Sequence, residues 1–264
     1  MRSAREDVAF IARSENRVRV LTTLSLEPTE RDILREQTGV ERVTFGRILA
    51  DFEERGWVEK TGRKYARTPT GEIIAETFEH LLETVKTTRK LESVVQWLPT
   101  EEMPFPLQLL GSADISLPNG ADPAAPTRTA GQRLAQTEDV RLIMSVIVAE
   151  VVEACWEATT TGTQQLEAVF TPEVIETIVS DPVMSQQVKE MLESGHVTVY
   201  QSNEDFPFIM GLLDHITAFG VTDDENLPRA YFEIKNETVR SWVNETYYKY
   251  LETAEPIGFE ALSS

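Results

Sequence analysis

The stretch from Thr29 to Lys64 constrains the fold more than any other part of the chain. It contains two segments whose apolar residues have helical spacing, joined at Gly39 and followed by a short run suited to a β-strand. Gly39 lies where a chain leaves a helix with a positive φ, the usual place for glycine just past a helix end. In the second segment, apolar residues recur at steps of three and four and define one helix face: Phe45, Ile48, Leu49 and Phe52. The pattern predicts helix, glycine turn, helix and strand in that order.

A basic hairpin, here called the wing, is predicted directly after the second helix. Gly56 ends that helix, residues 57–60 suit a strand, and residues 65–68 suit a return strand. The turn between them carries two adjacent cations, Arg63 and Lys64. With a first helix beginning after Ser14, a good N-cap residue, residues 1–70 are predicted to form a winged helix-turn-helix domain, here called the head.

The exposed face of the second helix and the tip of the wing carry the residues expected to bind DNA: Arg42, Thr44, Gly46, Arg47, Arg63 and Lys64. The major groove admits one α-helix, and an arginine there can bind guanine O6 and N7 in bidentate fashion. Thr44 is expected at a base edge or phosphate, and Gly46 permits close backbone approach. The wing cations are expected to contact phosphates or the minor groove. The alternative is that Arg42 and Arg47 are surface arginines paired with Glu41, Asp51 or Glu54.

Charge is distributed unevenly along the chain. A length of 264 residues predicts two domains, and a hydrophobic content of 41% is enough for packed cores. Residues 1–90 hold 17 Lys and Arg against 16 Asp and Glu, a balance of +1, whereas residues 91–264 hold 8 against 28, a balance of −20. Only the first third is therefore suited to binding a polyanion.

The acidic surface indicates the cell type and compartment. Glu is abundant and Lys is scarce, a balance that keeps a protein surface solvated in a high-salt cytosol; a halophilic archaeon is the favoured source. The alternative is an ordinary acidic domain from a mesophile. No apolar run approaches the length that crosses a bilayer, and the first residues lack a signal-type apolar stretch. The protein is expected to be cytoplasmic, with no membrane partner.

A long linking helix is predicted over residues 71–98. Its apolar residues fall mostly at steps of three, four and seven: Ile74, Phe78, Leu81, Val85, Leu91 and Val95. At about 1.5 Å per residue the helix would span roughly 40 Å and would need a partner along its length. A homodimer seam and packing against the first helix both satisfy this need. We favour a short dimer seam, because Thr88 and Glu92 interrupt the stripe.

Residues 99–264 are predicted to form an α/β regulatory domain with a mixed sheet, which makes the whole chain α+β. Prolines at 99, 104 and 106 end the linking helix. A strand is expected within 107–117. Helices (127–136, 149–159, 172–179, 182–192) then alternate with strands (140–147, 166–170, 197–201). Three further strands (208–212, 216–221, 230–234) precede a last helix over 237–251. This order predicts a parallel portion followed by an antiparallel meander.

Four residues of this domain are candidates to bind a small anionic metabolite: Arg128, Arg141, Phe206 and Phe208. They lie where loops and helix N-termini gather beyond strand ends, the habitual ligand site of α/β sheets. Alternatively, Arg141 pairs with a neighbouring Glu while the two phenylalanines fill the core. No enzyme, cofactor or metal site is expected, because the three histidines lie on separate elements and no phosphate loop or nucleophile elbow is present. The single cysteine, Cys155, has apolar neighbours and is interpreted as a buried inert thiol, with redox pairing across a dimer as the minor alternative.

The chain resembles archaeal winged-helix regulators of the ArsR-like type joined to the C-terminal domain of the methanogenesis/filamentation regulators. The resemblance covers nearly the whole chain and rests on these segments: 12–18, 37–40, 54–60, 68–71, Leu98-Pro99 with Pro104, Asp122-Pro-Ala-Ala-Pro126 and 206–214. The head motifs are specific for the fold alone, and the Asp-Pro-x-x-Pro loop with Phe206-Pro-Phe208 is more telling. The resemblance implies sequence-specific binding of double-stranded DNA and a sensor-like second domain.

The sequence therefore predicts a dimeric, ligand-responsive regulator of transcription that binds specific DNA sites. The alternative is a winged-helix module that docks on the transcription machinery without reading sequence, and the nearly neutral charge of the head keeps this alternative open.

Overall fold

The structure is a computed structural model that describes residues 3–258 of the chain. It divides into two compact units, Met1–Lys86 and Thr87–Ser264, each described by itself below. Within residues 3–258, no helix combines the length and apolar character needed to cross a membrane.

The first unit is a helical domain with one small sheet. Its elements are α1 (Ala4–Ala12), α2 (Glu15–Thr23), β1 (Thr29–Glu30), α3 (Arg31–Thr38), α4 (Arg42–Glu54), β2 (Val58–Thr61), β3 (Lys64–Arg67) and the start of α5 (Pro69–Leu91). The three strands pair antiparallel in the order β1-β3-β2. This is the predicted winged helix-turn-helix fold.

The core of the first unit forms because each helix turns its apolar stripe inward. The predicted residues of α4 are all buried: Phe45, Ile48, Leu49 and Phe52. They pack with Leu21 and Leu34 from the preceding helices and with Phe78 of α5 in one hydrophobic cluster. The opposite face of α4 is exposed to solvent, so a partner molecule can contact it.

The second unit is built on one large sheet. Its strands are β4 (Asp114–Ser116), β5 (Asp139–Met144), β6 (Gln165–Phe170), β7 (Val197–Gln201), β8 (Ile209–Leu213), β9 (Ile216–Thr222), β10 (Pro228–Ile234) and β11 (Glu255–Pro256). Its helices after α5 are α6 (Ala125–Leu134), α7 (Ala149–Thr160), α8 (Pro172–Ser180), α9 (Pro182–Glu193) and α10 (Glu237–Leu251).

The sheet contains eight strands in the order β11-β7-β6-β5-β8-β9-β10-β4. Strands β5, β6 and β7 are parallel, and β8, β9 and β10 form an antiparallel meander, which confirms the predicted mixed sheet and the α+β class. Apolar side chains from α6, α7, α8 and α9 form the core on one face of the sheet. Side chains of α10 and of the segment from Leu91 to Leu110 form the core on the other face.

The strand expected within 107–117 is confirmed as the short β4, which follows a 3₁₀ turn (Leu107–Ser112) and pairs with the distant β10. Residues 4–12, for which the mixed pattern gave no prediction, are helical, and Ser3 and Glu6 form a capping box that begins α1. One element prediction needs correction. The linking helix ends at Leu91 rather than near residue 98, because shorter turns then orient Leu91, Val94 and Leu98 into the core of the second unit. The predicted division at residues 70 and 98 stays a prediction.

Candidate nucleic-acid interface

The turn between α3 and α4 fixes the start of the predicted recognition helix. Gly39 caps α3 with a φ of 63°, in the left-handed region that favours glycine. Glu41 is the N-cap of α4, and its carboxylate accepts hydrogen bonds from the backbone N–H groups of Val43 and Thr44 at 3.0 and 3.1 Å. These two bonds hold the pKa of Glu41 below its usual range, and the bond from Thr44 has the larger effect. The first N–H groups of α4 are therefore occupied by a carboxylate of the same chain.

The solvent face of α4 is exposed along its length. Arg42, Val43, Arg47 and Ala50 are exposed, whereas Thr44 and Gly46 are half-buried. Val43 is the most exposed large hydrophobic residue of this face, at 77%. Val43 was not among the predicted site residues. Its position on the helix face between Arg42 and Arg47 was the pattern that indicated it.

The wing is a tight hairpin anchored to the start of α3. Thr61 pairs with Lys64 across a turn made by Gly62 and Arg63, and Gly62 has a φ of 64°, as a type II′ turn requires at its first central position. Strand β3 lies in the centre of the small sheet, paired with β1 on its other side. The backbone N–H of Arg31 also donates to the carbonyl oxygen of Arg63 at 3.3 Å. Backbone contacts therefore hold the wing tip next to the first residue of α3.

Arg31 is a further cation of this surface that the sequence analysis missed. A Cβ atom placed on Gly46 would lie 2.7 Å from Nη2 of Arg31, so the guanidinium group covers the side of α4 where Gly46 lacks a side chain. Close approach of DNA to the Gly46 backbone stays a prediction. The structure adds that the space beside Gly46 holds the guanidinium group of Arg31, a further cation next to α4.

The predicted cations of the head are not neutralised. Within residues 3–258, none of Arg42, Arg47, Arg63 and Lys64 forms an ion pair. The alternative, pairing of the two α4 arginines with Glu41, Asp51 or Glu54, is therefore not found, and Glu41 caps the helix instead. Other arginines of the first unit are paired, among them Arg55 with Asp7 and Arg67 with Glu72. In a chain with a net charge of −19, α4 and the wing therefore present four exposed cations without acidic partners among residues 3–258.

The four predicted ligand residues of the second unit do not converge. Arg128 lies on α6 and forms an ion pair with Asp122. Arg141 lies on β5, and its side chain faces the other side of the sheet, where Nη1 donates to the Tyr248 hydroxyl at 3.3 Å. Phe206 and Phe208 are buried in the core beside Tyr250 of α10. Their position is the one expected from the core-filling alternative, and an anionic site built from these four residues stays a prediction.

The remaining reactive groups are buried or dispersed. Cys155 is buried in α7, and burial raises the pKa of its thiol to about 12, which suits the interpretation as an inert thiol. Across residues 3–258, no group of three or more His, Cys, Asp and Glu side chains is arranged to hold a metal ion.

Comparisons with known proteins give two family matches along the chain. Residues 5–90 match the family model described as the HVO_A0261 N-terminal domain, and residues 123–253 match the middle domain of the methanogenesis regulatory protein FilR1. The second match agrees with the resemblance noted for the C-terminal part of the chain. No curated protein matches the sequence.

Similar solved structures are distant. TrmBL2, an archaeal chromatin protein whose structure shows a novel mode of DNA binding, is 14% identical, with 97% of this chain and 100% of that chain covered and a TM-score of 0.43. Nuc, a phospholipase D family member from Salmonella typhimurium, is 11% identical, with 55% of this chain and 97% of that chain covered and a TM-score of 0.43. An IclR homolog from Microbacterium hydrocarbonoxydans is 13% identical, covering 88% and 95% of the two chains, with a TM-score of 0.21. Similarities of this size carry no argument on function.

Proposed function

We propose that the protein is a transcriptional regulator that binds specific DNA sequences as a homodimer through its head and responds to a ligand of its second unit. The observation that carries the proposal is the surface of α4 and the wing, where Arg42, Arg47, Arg63 and Lys64 are exposed without acidic partners. The match of residues 123–253, just under half of the chain, to a domain of a regulatory protein supports the same conclusion.

Each part of this surface has a distinct role in the proposal. Helix α4 enters the major groove, where Arg47 binds guanine and Val43 contacts a thymine methyl group. Arg63 and Lys64 at the wing tip bind phosphates and set the orientation of the head without reading sequence. The N-terminus of α4 does not bind phosphate, because Glu41 already accepts its hydrogen bonds.

The assignment of Arg47 is tested by substitution. Arg47→Ala is expected to weaken binding to the preferred DNA site by about 1–3 kcal/mol, that is, roughly 5- to 150-fold, while binding to unrelated DNA changes little. Arg5→Ala is the matched control, because it removes the same charge from an exposed position on α1. Binding is measured by fluorescence anisotropy, with circular dichroism to confirm folding. Unchanged binding of the preferred site by a folded Arg47→Ala variant would contradict the assignment.

One observation favours a second candidate function, docking of the head on another protein. An apolar side chain as exposed as Val43 also suits a protein interface. Genome-wide chromatin pull-down separates the two functions. Sharp peaks that share a palindromic motif support DNA reading by a dimer, whereas diffuse occupancy of promoters without a motif supports docking on the transcription machinery.

A further inference from the structure

The second unit contains an apolar cavity between α6 and the sheet. Its volume is about 90 Å³, and all of the side chains that line it are uncharged. On the helix side the cavity is lined by Pro126, Thr127, Ala130 and Leu134. On the sheet side it is lined by residues of β5, β8, β9 and β10. None of the four residues predicted to bind an anion lines it.

Small residues lie next to one another on the sheet side of the cavity. Gly211 of β8 lies directly opposite Ala218 of β9, and Gly220 of β9 is the cross-strand neighbour of both Ile209 and Tyr231. Side chains alternate between the two faces of a strand, so these three small residues occupy adjacent positions on the face that α6 covers. Ala130 of α6 is also small. The side chains of Leu142 and Ile209 lie beside Gly211 and Gly220, and the cavity is the space that they leave beneath α6.

Solvent can reach the cavity at one end of the sheet. The lining residues at the end of β5, the end of β9 and the start of α6 are half-buried rather than buried, among them Val146, Thr222 and Thr127. This is the carboxyl end of the parallel strands, where ligands of open α/β sheets habitually bind.

The lining contains one buried hydroxyl group, that of Tyr231. The Tyr231 side chain is 7% exposed, and its hydroxyl group makes no hydrogen bond of normal geometry with the residues between 3 and 258, although the carboxylate of Glu233 lies nearby. Burial raises the pKa of this phenol and Glu233 raises it further, so the hydroxyl stays protonated and can donate. Most buried polar groups form well-made hydrogen bonds, and a ligand with a hydrogen-bonding group would supply one here.

We infer that this cavity is the sensor site and that it takes a small, neutral, mainly apolar molecule with one hydrogen-bonding group. The inference rests on the proposed role of the second unit as a ligand sensor, and it replaces an anionic metabolite with an apolar one. An engineered apolar cavity of about 150 Å³ stays dry and binds benzene. By that measure, the present cavity of about 90 Å³ encloses about four carbon atoms, and a longer chain can extend through the end that solvent reaches.

The test uses the full chain without DNA and four probes: 1-hexanol, hexanoate, succinate and, as an apolar probe without a hydroxyl group, pentane. Binding is measured by saturation-transfer NMR and by the shift of the thermal midpoint. We expect 1-hexanol to bind and to raise the midpoint, because a ligand of the folded state stabilises it. We expect hexanoate to bind far more weakly and succinate not to bind.

Substitutions locate the site. Ala130→Leu adds an isopropyl group on the helix side of the cavity and is expected to weaken 1-hexanol binding roughly tenfold or more, since the added carbons occupy the same apolar space. Ala130→Val is expected to give a smaller loss. Ala135→Leu is the matched control on the exposed end of α6 and is expected to bind like the parent chain. Tyr231→Phe keeps the apolar lining and is expected to weaken binding of the alcohol alone, leaving binding of pentane unchanged.

The probe experiments can fail or succeed independently of the DNA-binding experiments. Failure of 1-hexanol to bind the parent chain, equal binding by all Ala130 variants, or preferential binding of succinate would overturn the inference. The graded series guards against misfolding, because a variant that fails to fold loses every probe and its thermal transition. If operator binding fails while probe binding follows Ala130, the cavity assignment stands without the proposed DNA function.

Discussion

Glu41 shows how one residue controls the start of α4. Its carboxylate accepts the N–H groups of Thr44 and Val43, and these bonds lower its pKa from the ordinary value of 4.5. A depressed pKa means that the stabilising contribution is present above the unfolded-state value and is lost as the pH falls through the folded-state value. The helix start is therefore fully capped at neutral pH and loses its cap only in acid.

The titration of Glu41 can be followed directly. The backbone amide resonances of Val43 and Thr44 are expected to shift with pH in one transition whose midpoint lies below 4.5, the ordinary value for Glu. Glu41→Gln keeps an oxygen acceptor but cannot titrate, and is expected to abolish that transition. The measurement is an NMR titration of the full chain. A midpoint at or above 4.5 in the parent chain would show that these hydrogen bonds do not favour the charged form.

Val43 gives a second prediction at this scale. Loss of its two methyl groups in Val43→Ala is expected to weaken binding of the preferred DNA site by about 1 kcal/mol, or roughly fivefold, and to relax the preference for thymine at one position. Val183→Ala, at an exposed valine of α9, is the matched control. The measurement is binding of a library with each base varied. An equal loss for every base at every position would argue against contact with a thymine methyl group.

At the scale of elements, the regular spacing of apolar residues predicted most helices and strands. The elements that it did not predict depend on local capping or on pairing with distant strands. Helix α10 runs from Glu237 to Leu251, within the predicted bounds, because its cap, Asn236, and its apolar spacing are local signals. β4 was expected within 107–117, but its pairing with the distant β10 was not, and no local signal indicated β11, which pairs with β7. At the candidate site, the recognition helix and wing were predictable, whereas the position of Arg31 over Gly46 depends on contact between two helices.

The linking helix also shows what spacing alone cannot decide. Of its predicted stripe, Phe78 is buried in the first unit and Leu91 in the second. Leu81 and Val85 of the stripe are exposed, and so is Ile73, which lies outside the stripe. Ile73, Thr77, Leu81 and Val85 are spaced four residues apart and form one ridge on α5. Ridges of this spacing are typical of crossing helices rather than of a continuous zipper.

This ridge is the proposed dimer contact. Leu81→Glu is expected to shift the protein from dimer to monomer, because it places a charge in an apolar contact between two copies of α5. Leu26→Glu alters a comparably exposed leucine outside α5 and is expected to leave the assembly unchanged. Analytical ultracentrifugation over a concentration series measures the effect. A dimer that persists in Leu81→Glu would place the contact elsewhere.

At the scale of the whole molecule, charge sets how DNA binding depends on salt. A balance of +1 over residues 1–90 beside −20 over residues 91–264 gives little long-range attraction to DNA. At an ionic strength of about 1 M the screening length is only about 3 Å, so distant charges contribute little in either direction. Affinity must then come from direct contacts.

The salt dependence of binding tests this conclusion. If each head contacts phosphates only through Arg63 and Lys64, a dimer releases about four counterions, and log K is expected to fall with log salt at a slope of about −4. Lys64→Ala is expected to reduce that slope by about two, since each of two heads loses one contact. Anisotropy titrations from low to high salt measure both slopes. A slope near −10 in the parent chain would require a much larger phosphate interface.

The wing tip has a consequence for how such a regulator diversifies. Its shape is held by backbone pairing of β1, β3 and β2 and by the turn at Gly62, while the side chains of Arg63 and Lys64 are exposed. Replacing either side chain therefore leaves the hairpin itself intact. If the proposed DNA-binding role is correct, substitutions at positions 63 and 64 adjust the strength of DNA binding without changing the hairpin, whereas Gly62 is needed for its turn.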